Sequence, residues 1–361
     1  MDDARAYLVE SIPTDMPAIA RAEGVGATAE VLTRLTREAK VSIDLTAMYW
    51  DLVPTPGPGA KSLPFSKEEY DAFGAPAGKA LLEALVDAAR RGVKVRIIEA
   101  PAEEPAGGRK PRPGQKRPIS APRVLREEAS VEIRQVEMPD WYGDGIMHQK
   151  IWVFDGHSIY LGSANMDWLS LTQVKEIGVA IESCPELAEE IGKYYEAWWR
   201  FCGLDPSDHT RDDVFDPASH VMRRLPAWSE LVPEDRAASP LNASELHTKF
   251  NFENPMDVTL NGSRGNVFIT GSPRELCVPD RTWDQDGLVE TIAEARDIIC
   301  LSVMDFVPAS IYHDPPVWWP ALQDALLHAA TTRGVYTRLL VSRWAHSNAS
   351  IVPYLQALRD T

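Results

Sequence analysis

The chain has 361 residues, of which 44% are hydrophobic and 25% charged, with a net charge of −16. That length accommodates two domains with sizeable cores, the balance is that of a soluble globular protein, and no run of about eighteen apolar residues offers a membrane-spanning helix. The acidity argues against a broad duplex-DNA surface, whose affinity rests on phosphate contacts, but leaves room for a locally basic channel.

Strands and helices alternate along the chain, the pattern of an α/β sheet with crossover helices. The start, Met1-Asp2-Asp3-Ala4-Arg5, lacks a basic-then-apolar signal pattern, so export would need a leader supplied elsewhere. Ala6 to Ser11 reads as a strand, Ala27 to Lys40 as a helix and Val41 to Trp50 as a strand. Ala77 to Arg91 has apolar residues at helical spacing and Gly92 as its stop, with a strand from Val93 to Glu99. A Pro/Gly-rich loop follows, carrying Arg109, Lys110, Arg112, Lys116 and Arg117. It reads as a solvated loop, with phosphate holding as the alternative. Val131 to Val136 is a short strand. His148 to Phe154 and Ser158 to Leu161 read as a hairpin around Asp155-Gly156. Pro185 to Phe201 is a helix, and a polar, proline-containing stretch to about residue 250 reads as a connection. Trp198-Trp199 and Trp318-Trp319 read as core, with base stacking as the alternative. Cys184, Cys202, Cys277 and Cys300 have no metal-ligand spacing; disulfides and free thiols both fit. The sequons at Asn242, Asn261 and Asn348 carry little weight.

The later part of the chain repeats the earlier part. Tyr7-Leu8-Val9 matches Val267-Phe268-Ile269. The stretch from Ala39 to Trp50 matches Ala295 to Phe306, and Ala88 to Val93 matches Ala329 to Val335. The offsets are 260, 256 and 242 residues. Constant order and similar spacing point to an internal duplication, with residues 1–250 as the first domain and 251–361 as a partial second one.

The chemistry is concentrated in His148-Gln149-Lys150, Asp155, Gly162-Ser163-Ala164-Asn165 and Glu176. On a strand, His148 and Lys150 would leave the same face. Phosphodiester cleavage needs a nucleophile or base near neutral pKa, and cations for the phosphoryl oxygens. His148 can attack through a covalent phosphohistidine or protonate the leaving oxygen. Lys150 can clamp a non-bridging oxygen, and Ser163 and Asn165 can add neutral donors. Glu176 can hold one ring nitrogen of His148, and Asp155 sits where it shapes the turn. A lone histidine or lysine on a strand is most often structural or solvated; the joint spacing is what separates these from that reading. No metal or cofactor fingerprint is present.

His-x-Lys, four residues, Asp, six residues, Gly-Ser-x-Asn is similar to the phospholipase D superfamily signature. Tyr49-Trp50, the run from Leu161 to Trp168, Ser170 to Glu176, Ala197-Trp198-Trp199 and Ser342 to Ser347 resemble one branch of it. That branch holds animal lysosomal phospholipase-D-like exonucleases and poxvirus envelope proteins. The resemblance runs from Leu8 to Leu358. It implies a duplicated mixed-sheet α/β sandwich with a complete first half and a truncated second half. It also implies metal-free hydrolysis through a phosphohistidine. His148, Lys150, Asp155, Asn165 and Glu176 would be catalytic, and Ser163, Tyr49, Trp50 and His346 would contact substrate. Single-stranded nucleic acid cut from the 5′ end is the expected substrate, with phospholipid as the alternative. A lysosomal, lumenal or secreted setting is implied, although the anchor of that branch is absent from this sequence. Chemistry of this type uses two histidines. The repeat places a second one near residue 390, so more chain, or a partner, is expected to supply it, with a catalytically incomplete half-protein that only binds or pairs as the alternative.

Overall fold

A computed structural model describes the chain except residues 1–3, 17–18, 55–64, 102–118, 143–144, 207–209, 217–220, 227–239, 311–315, 344–346, 348 and 361. The basic loop from Arg109 to Arg117 and His346 lie outside the described residues. The chain divides into two compact units. One holds Met1–Asp213, Arg223–His247 and Asp257–Val267; the other holds Val214–Met222, Thr248–Met256 and Phe268–Thr361.

The first unit opens with β1 (Arg5–Ser11), β2 (Gly26–Ala27), α1 (Thr28–Glu38), β3 (Ser42–Ala47) and β4 (Trp50–Asp51). Then come α2 (Lys67–Ala72), α3 (Pro76–Arg90), β5 (Lys94–Glu99), α4 (Arg123–Arg126), β6 (Val131–Gln135) and α5 (Met138–Tyr142). The motif region supplies β7 (Ile151–Phe154), β8 (Ser158–Gly162), β9 (Met166–Asp167), α6 (Trp168–Thr172), β10 (Glu176–Glu182) and α7 (Pro185–Phe201). Eight strands form one mixed sheet in the order β2-β1-β10-β8-β7-β3-β5-β6. β3, β5 and β6 run parallel, because helical crossovers join them, and the β7–β8 hairpin adds antiparallel to β3.

Alternation along β3 divides two faces. Ile43 and Leu45 join a core with Leu32 and Leu35 of α1 and Leu81 and Leu85 of α3. Asp44 leaves the other face, paired in register with Arg96 of β5, which bonds it twice, at 2.7 and 2.8 Å. Arg96 also holds Glu196 of α7 at 2.7 Å and lies over the rings of Tyr195 and Trp199. Tyr195 donates its hydroxyl to the Arg96 carbonyl oxygen at 2.9 Å. α7 is thereby fastened to the sheet by charge as well as by Trp198, Trp199 and Phe201, which are buried.

The stretch expected to be a plain connection contains β11 (Thr210–Asp216) and β12 (Val221–Pro226), a paired hairpin. A second hairpin follows from β13 (Met256–Leu260) and β14 (Ser263–Val267). The second unit then supplies α8 (Asp284–Glu294), β15 (Ile298–Val303), β16 (Ala309–Ser310), β17 (Val317–Trp318), α9 (Ala321–Arg333), β18 (Tyr336–Val341) and α10 (Ile351–Asp360).

The repeat is visible at single hydrogen bonds. β15 and β18 pair in parallel, as β3 and β5 do. Arg91 donates to the carbonyl oxygens of Thr36, Arg37 and Ala39 at the end of α1. Arg333 donates to those of Ile292, Ala293 and Ala295 at the end of α8, the same positions at the same offsets. Gly92 and Gly334 both follow with positive φ, 89° and 71°, a conformation that favours glycine. The match of Tyr7-Leu8-Val9 to Val267-Phe268-Ile269 is looser: the former is mid-strand in β1, while β14 ends at Val267. In the second unit the face equivalent to that of Asp44 and Arg96 carries Cys300 and Arg338, and Ile298, Tyr336 and Leu340 on it are exposed, as an uncovered sheet face requires. Trp318 and Trp319, read as core, are also exposed. All four cysteines are free thiols.

Arg96→Ala strands two partly buried carboxylates and is expected to lower stability by about 2–3 kcal/mol in urea unfolding. Arg338→Ala, on the uncovered face, should cost under about 0.5 kcal/mol.

Candidate active site

β7 starts at Ile151, so His148 and Lys150 lie in the segment leading into the strand rather than on it. The pairing that begins β7 is made by Ile151, whose N–H donates to the buried Thr46 hydroxyl at 2.9 Å. Burial does not alternate over this segment, so the same-face placement expected of a strand is not seen in it: Met147 is buried, His148 exposed, Gln149 half-buried and Lys150 buried. The Lys150 ammonium turns back and donates to the His148 carbonyl oxygen at 2.7 Å.

Burial pushes the Lys150 ammonium down to about 8, against the opposing pull of the Glu176 and then the Asp167 carboxylate. Partial desolvation, and then the Lys150 charge, push the His148 imidazole below its ordinary value. The pair is therefore a neutral imidazole beside a buried cation at neutral pH. Burial raises the Glu176 carboxyl above its usual range and Asp167 adds to this, while Ser163 and Lys150 oppose it. No hydrogen bond joins Glu176 to His148 among the described residues; Glu176 acts on Lys150 and Ser163 instead.

The Gly-Ser-x-Asn turn is set by close packing. A Cβ at Gly162 would lie 2.2 Å from the Tyr160 hydroxyl, and one at Gly178 would lie 2.6 Å from the same ring. Ser163 is bracketed with Ile177: its N–H donates to the Ile177 carbonyl oxygen at 3.0 Å, and its hydroxyl accepts from the Ile177 N–H at 3.0 Å. Asn165 donates Nδ2 to the Tyr49 hydroxyl at 3.3 Å, while its Oδ1 is buried with no hydrogen-bond partner. Tyr49 in turn donates to Asp167 at 2.8 Å. Trp50 donates its indole N–H to Glu99 at 3.1 Å; Glu99 is fully buried and also accepts from Ser120, Ala121 and Gln135.

Hydrogen bonds thus join Asn165 and Tyr49 to Asp167, Glu176 bonds to Ser163, and the two carboxylates act on Lys150 through charge. Asp155 is at the opposite end of β7, in a left-handed turn with φ 52°. Its carboxylate accepts from the backbone N–H groups of Lys40, Val41 and Ser42 at 2.7–3.1 Å. Burial raises its carboxyl, but those donors more than offset it, and the net direction is down. Asp155 ties the hairpin to β3 and does not meet Lys150. Sequence reasoning missed Asp167, Tyr160 and Glu99. Asp167 alone had a legible signal, an Asp before an apolar helical turn with Ser three residues on.

Two family models match successive segments: one described as "Cardiolipin synthase, PLD-like domain" over residues 71–199, and one as "PLD3/4, PLD-like domain" over 217–361. The chain is 32% identical over 362 residues to the 5′-3′ exonuclease PLD3 of Xenopus tropicalis, covering 99% of this chain and 61% of that protein. Both matched segments are thus similar to phospholipase D-like domains. The rat 5′-3′ exonuclease PLD3 is 33% identical over 99% of this chain and 63% of its own length. A probable phospholipase D of Caenorhabditis elegans is 29% identical over 99% and 54%. The chain thus spans 54% to 63% of the length of these relatives. Nuc, a phospholipase D family member from Salmonella typhimurium, aligns with a TM-score of 0.36 and 20% identity over 55% of this chain and 95% of that one.

Gly162→Ala should cost about 1–3 kcal/mol through overpacking, seen as a lowered Tm. Adding Tyr160→Phe should not rescue it, because the ring carbon Cζ also lies 2.6 Å from that Cβ. Asp155→Ala should lower stability by about 1–2 kcal/mol at neutral pH, the low end for lost donors because solvent reaches the carboxylate. A depressed carboxyl contributes stability above its unfolded pKa, about 4, and loses it as pH falls through the folded value. Unfolding curves of the two proteins should therefore converge in acid.

Proposed function

We propose that this chain carries the catalytic half-site of a phosphodiesterase that cuts single-stranded nucleic acid from the 5′ end. The observation that carries the reading is the buried Lys150 ammonium, bonded to the carbonyl oxygen of a neutral His148 and facing the Glu176 carboxylate. The names of the exonuclease relatives support the substrate class.

A ring nitrogen of His148 attacks phosphorus, and the bond from phosphorus to the leaving oxygen breaks. The leaving oxygen takes a proton, which the family resemblance assigns to a second histidine. Water then attacks the phosphohistidine, releasing a phosphomonoester and restoring the imidazole. Lys150 and the Asn165 amide neutralise the equatorial oxygens, whose charge grows in the transition state. None of these steps uses a metal ion. Ser163 and Trp50 line the approach in this reading, Glu176 tunes the charge on Lys150, and Asp155 holds the hairpin.

A nitrophenyl phosphodiester of a nucleoside separates attack from leaving-group protonation, because nitrophenolate departs without a proton. It should be cleaved with chelator present. His148→Ala should abolish this, Lys150→Ala should lower the rate by about 10²-fold or more, and Glu176→Gln should lower it less than His148→Ala does. kcat/KM should fall above pH 8, where Lys150 loses its proton. The acid limb should lie below about pH 6.5, because His148 stays neutral to lower pH than a free imidazole. Single-stranded oligonucleotide should be cut faster than duplex or phosphatidylcholine. Turnover restored only by a divalent ion would overturn the mechanism, and faster cleavage of phosphatidylcholine would replace the substrate class with phospholipid.

A further inference from the structure

Asp167 is 3% exposed and anchors more than its own helix. Its Oδ1 accepts from the Ser170 N–H at 2.8 Å, which completes the N-cap of α6. A serine or threonine would do that as well without burying a charge. Its Oδ2 accepts from the Ser170 hydroxyl at 2.7 Å and the Tyr49 hydroxyl at 2.8 Å, which capping does not require. The same two segments are joined by main-chain pairing, Trp50 with Met166 and Asp51 with Asp167.

The direction of the chain of bonds matters. The Tyr49 hydroxyl donates its hydrogen bond to Asp167, so its oxygen is left to accept from Asn165 Nδ2. That fixes the Asn165 amide and leaves its buried Oδ1 unpartnered. A carboxylate held by three neutral donors cannot swing to form an ion pair. It stays a stationary charge. The charged and titratable groups that face Lys150 are His148 from its own segment, Glu176 from β10 and Asp167 from the start of α6.

We propose that Asp167 is a positioning residue: it pins the Tyr49 hydroxyl, and through it the Asn165 amide, and stations a fixed negative charge opposite the Lys150 ammonium. The assignment rests on reading Lys150 and Asn165 as the groups that hold the phosphate. Glu176 contributes charge to the same ammonium, but its carboxyl takes up a proton more readily than a free one.

The test uses the full chain and two uncharged variants, Asp167→Asn and Asp167→Ser, each of which keeps an oxygen for the Ser170 N–H. The Lys150 ammonium is titrated by NMR of protein carrying ¹⁵N-lysine, and kcat/KM is followed against pH on the nitrophenyl diester. Removing the charge should move the Lys150 titration and the alkaline limb together toward acid by about 0.5–1 pH unit. Tyr49→Phe should lower kcat by freeing Asn165 and leave the Lys150 titration in place. A folded Asp167 variant, judged by its Tm and amide spectrum, whose Lys150 titrates as in wild type would overturn the proposal. So would a Tyr49→Phe protein that shifts Lys150 as far as the Asp167 variants do. The NMR arm needs no turnover, so a protein without phosphodiesterase activity would defeat the functional reading while still deciding the role of Asp167.

Discussion

Lys150 is buried with its ammonium bonded to the His148 carbonyl oxygen, and the carboxylates that balance it act without touching it. A cation in that position is costly to desolvate, and much of the surrounding architecture follows from the need to keep it charged. Glu176 starts β10 and Asp167 caps α6, so the balancing charges come from two regular elements that follow the Gly-Ser-x-Asn turn. The turn itself has no freedom, because the Tyr160 ring fills the space a side chain at Gly162 or Gly178 would need. The ammonium, the amide and the turn are each held in place by the protein's own groups. This is how a site gains transition-state stabilisation without reorganising during the reaction.

The sheet provides the stiffness behind that preparation. β7 is held to β3 through Ile151 at its start and through Asp155 just after its end, so the segment carrying His148 and Lys150 has a fixed foundation. On the reverse side, Arg96 gathers Asp44, Glu196 and two aromatic rings, which seats α7 across the middle of the sheet. Asp155 and Arg96 stand far from the chemistry along their strands. Their effect on it runs through rigidity.

The elements with strong helical spacing were legible in the sequence to within a residue or two, α3 and α7 best of all, because apolar periodicity and a stop or a proline marked their ends. The motif spacing identified Lys150, Asn165 and Glu176, which the fold links through Tyr49, Asp167 and Ser163. What escaped were relations between distant segments. Nothing local says that Asp155 will find three N–H groups near residue 41, or that Tyr49 will stand between Asn165 and Asp167. The strand placement of His148 failed for a related reason. An apolar-flanked run reads as one strand, whereas the ladder begins only at Ile151, which pairs with Leu161 of β8. Val267 to Ile269 looked like a copy of β1 because three apolar residues carry little register information.

The arginine that follows each crossover helix has a consequence for how the two halves have come apart. Arg91 and Arg333 both address main-chain carbonyl oxygens, which every residue type possesses. The substitutions that accumulate after a gene doubles cannot remove those acceptors, so this joint tolerates drift in all of its neighbours. The two sheet faces had no such protection: one carries Asp44 and Arg96, the other Cys300 and Arg338. A scaffold secured through its backbone can diverge freely in side-chain chemistry, and two copies of one module can then become dissimilar without either losing its path through space.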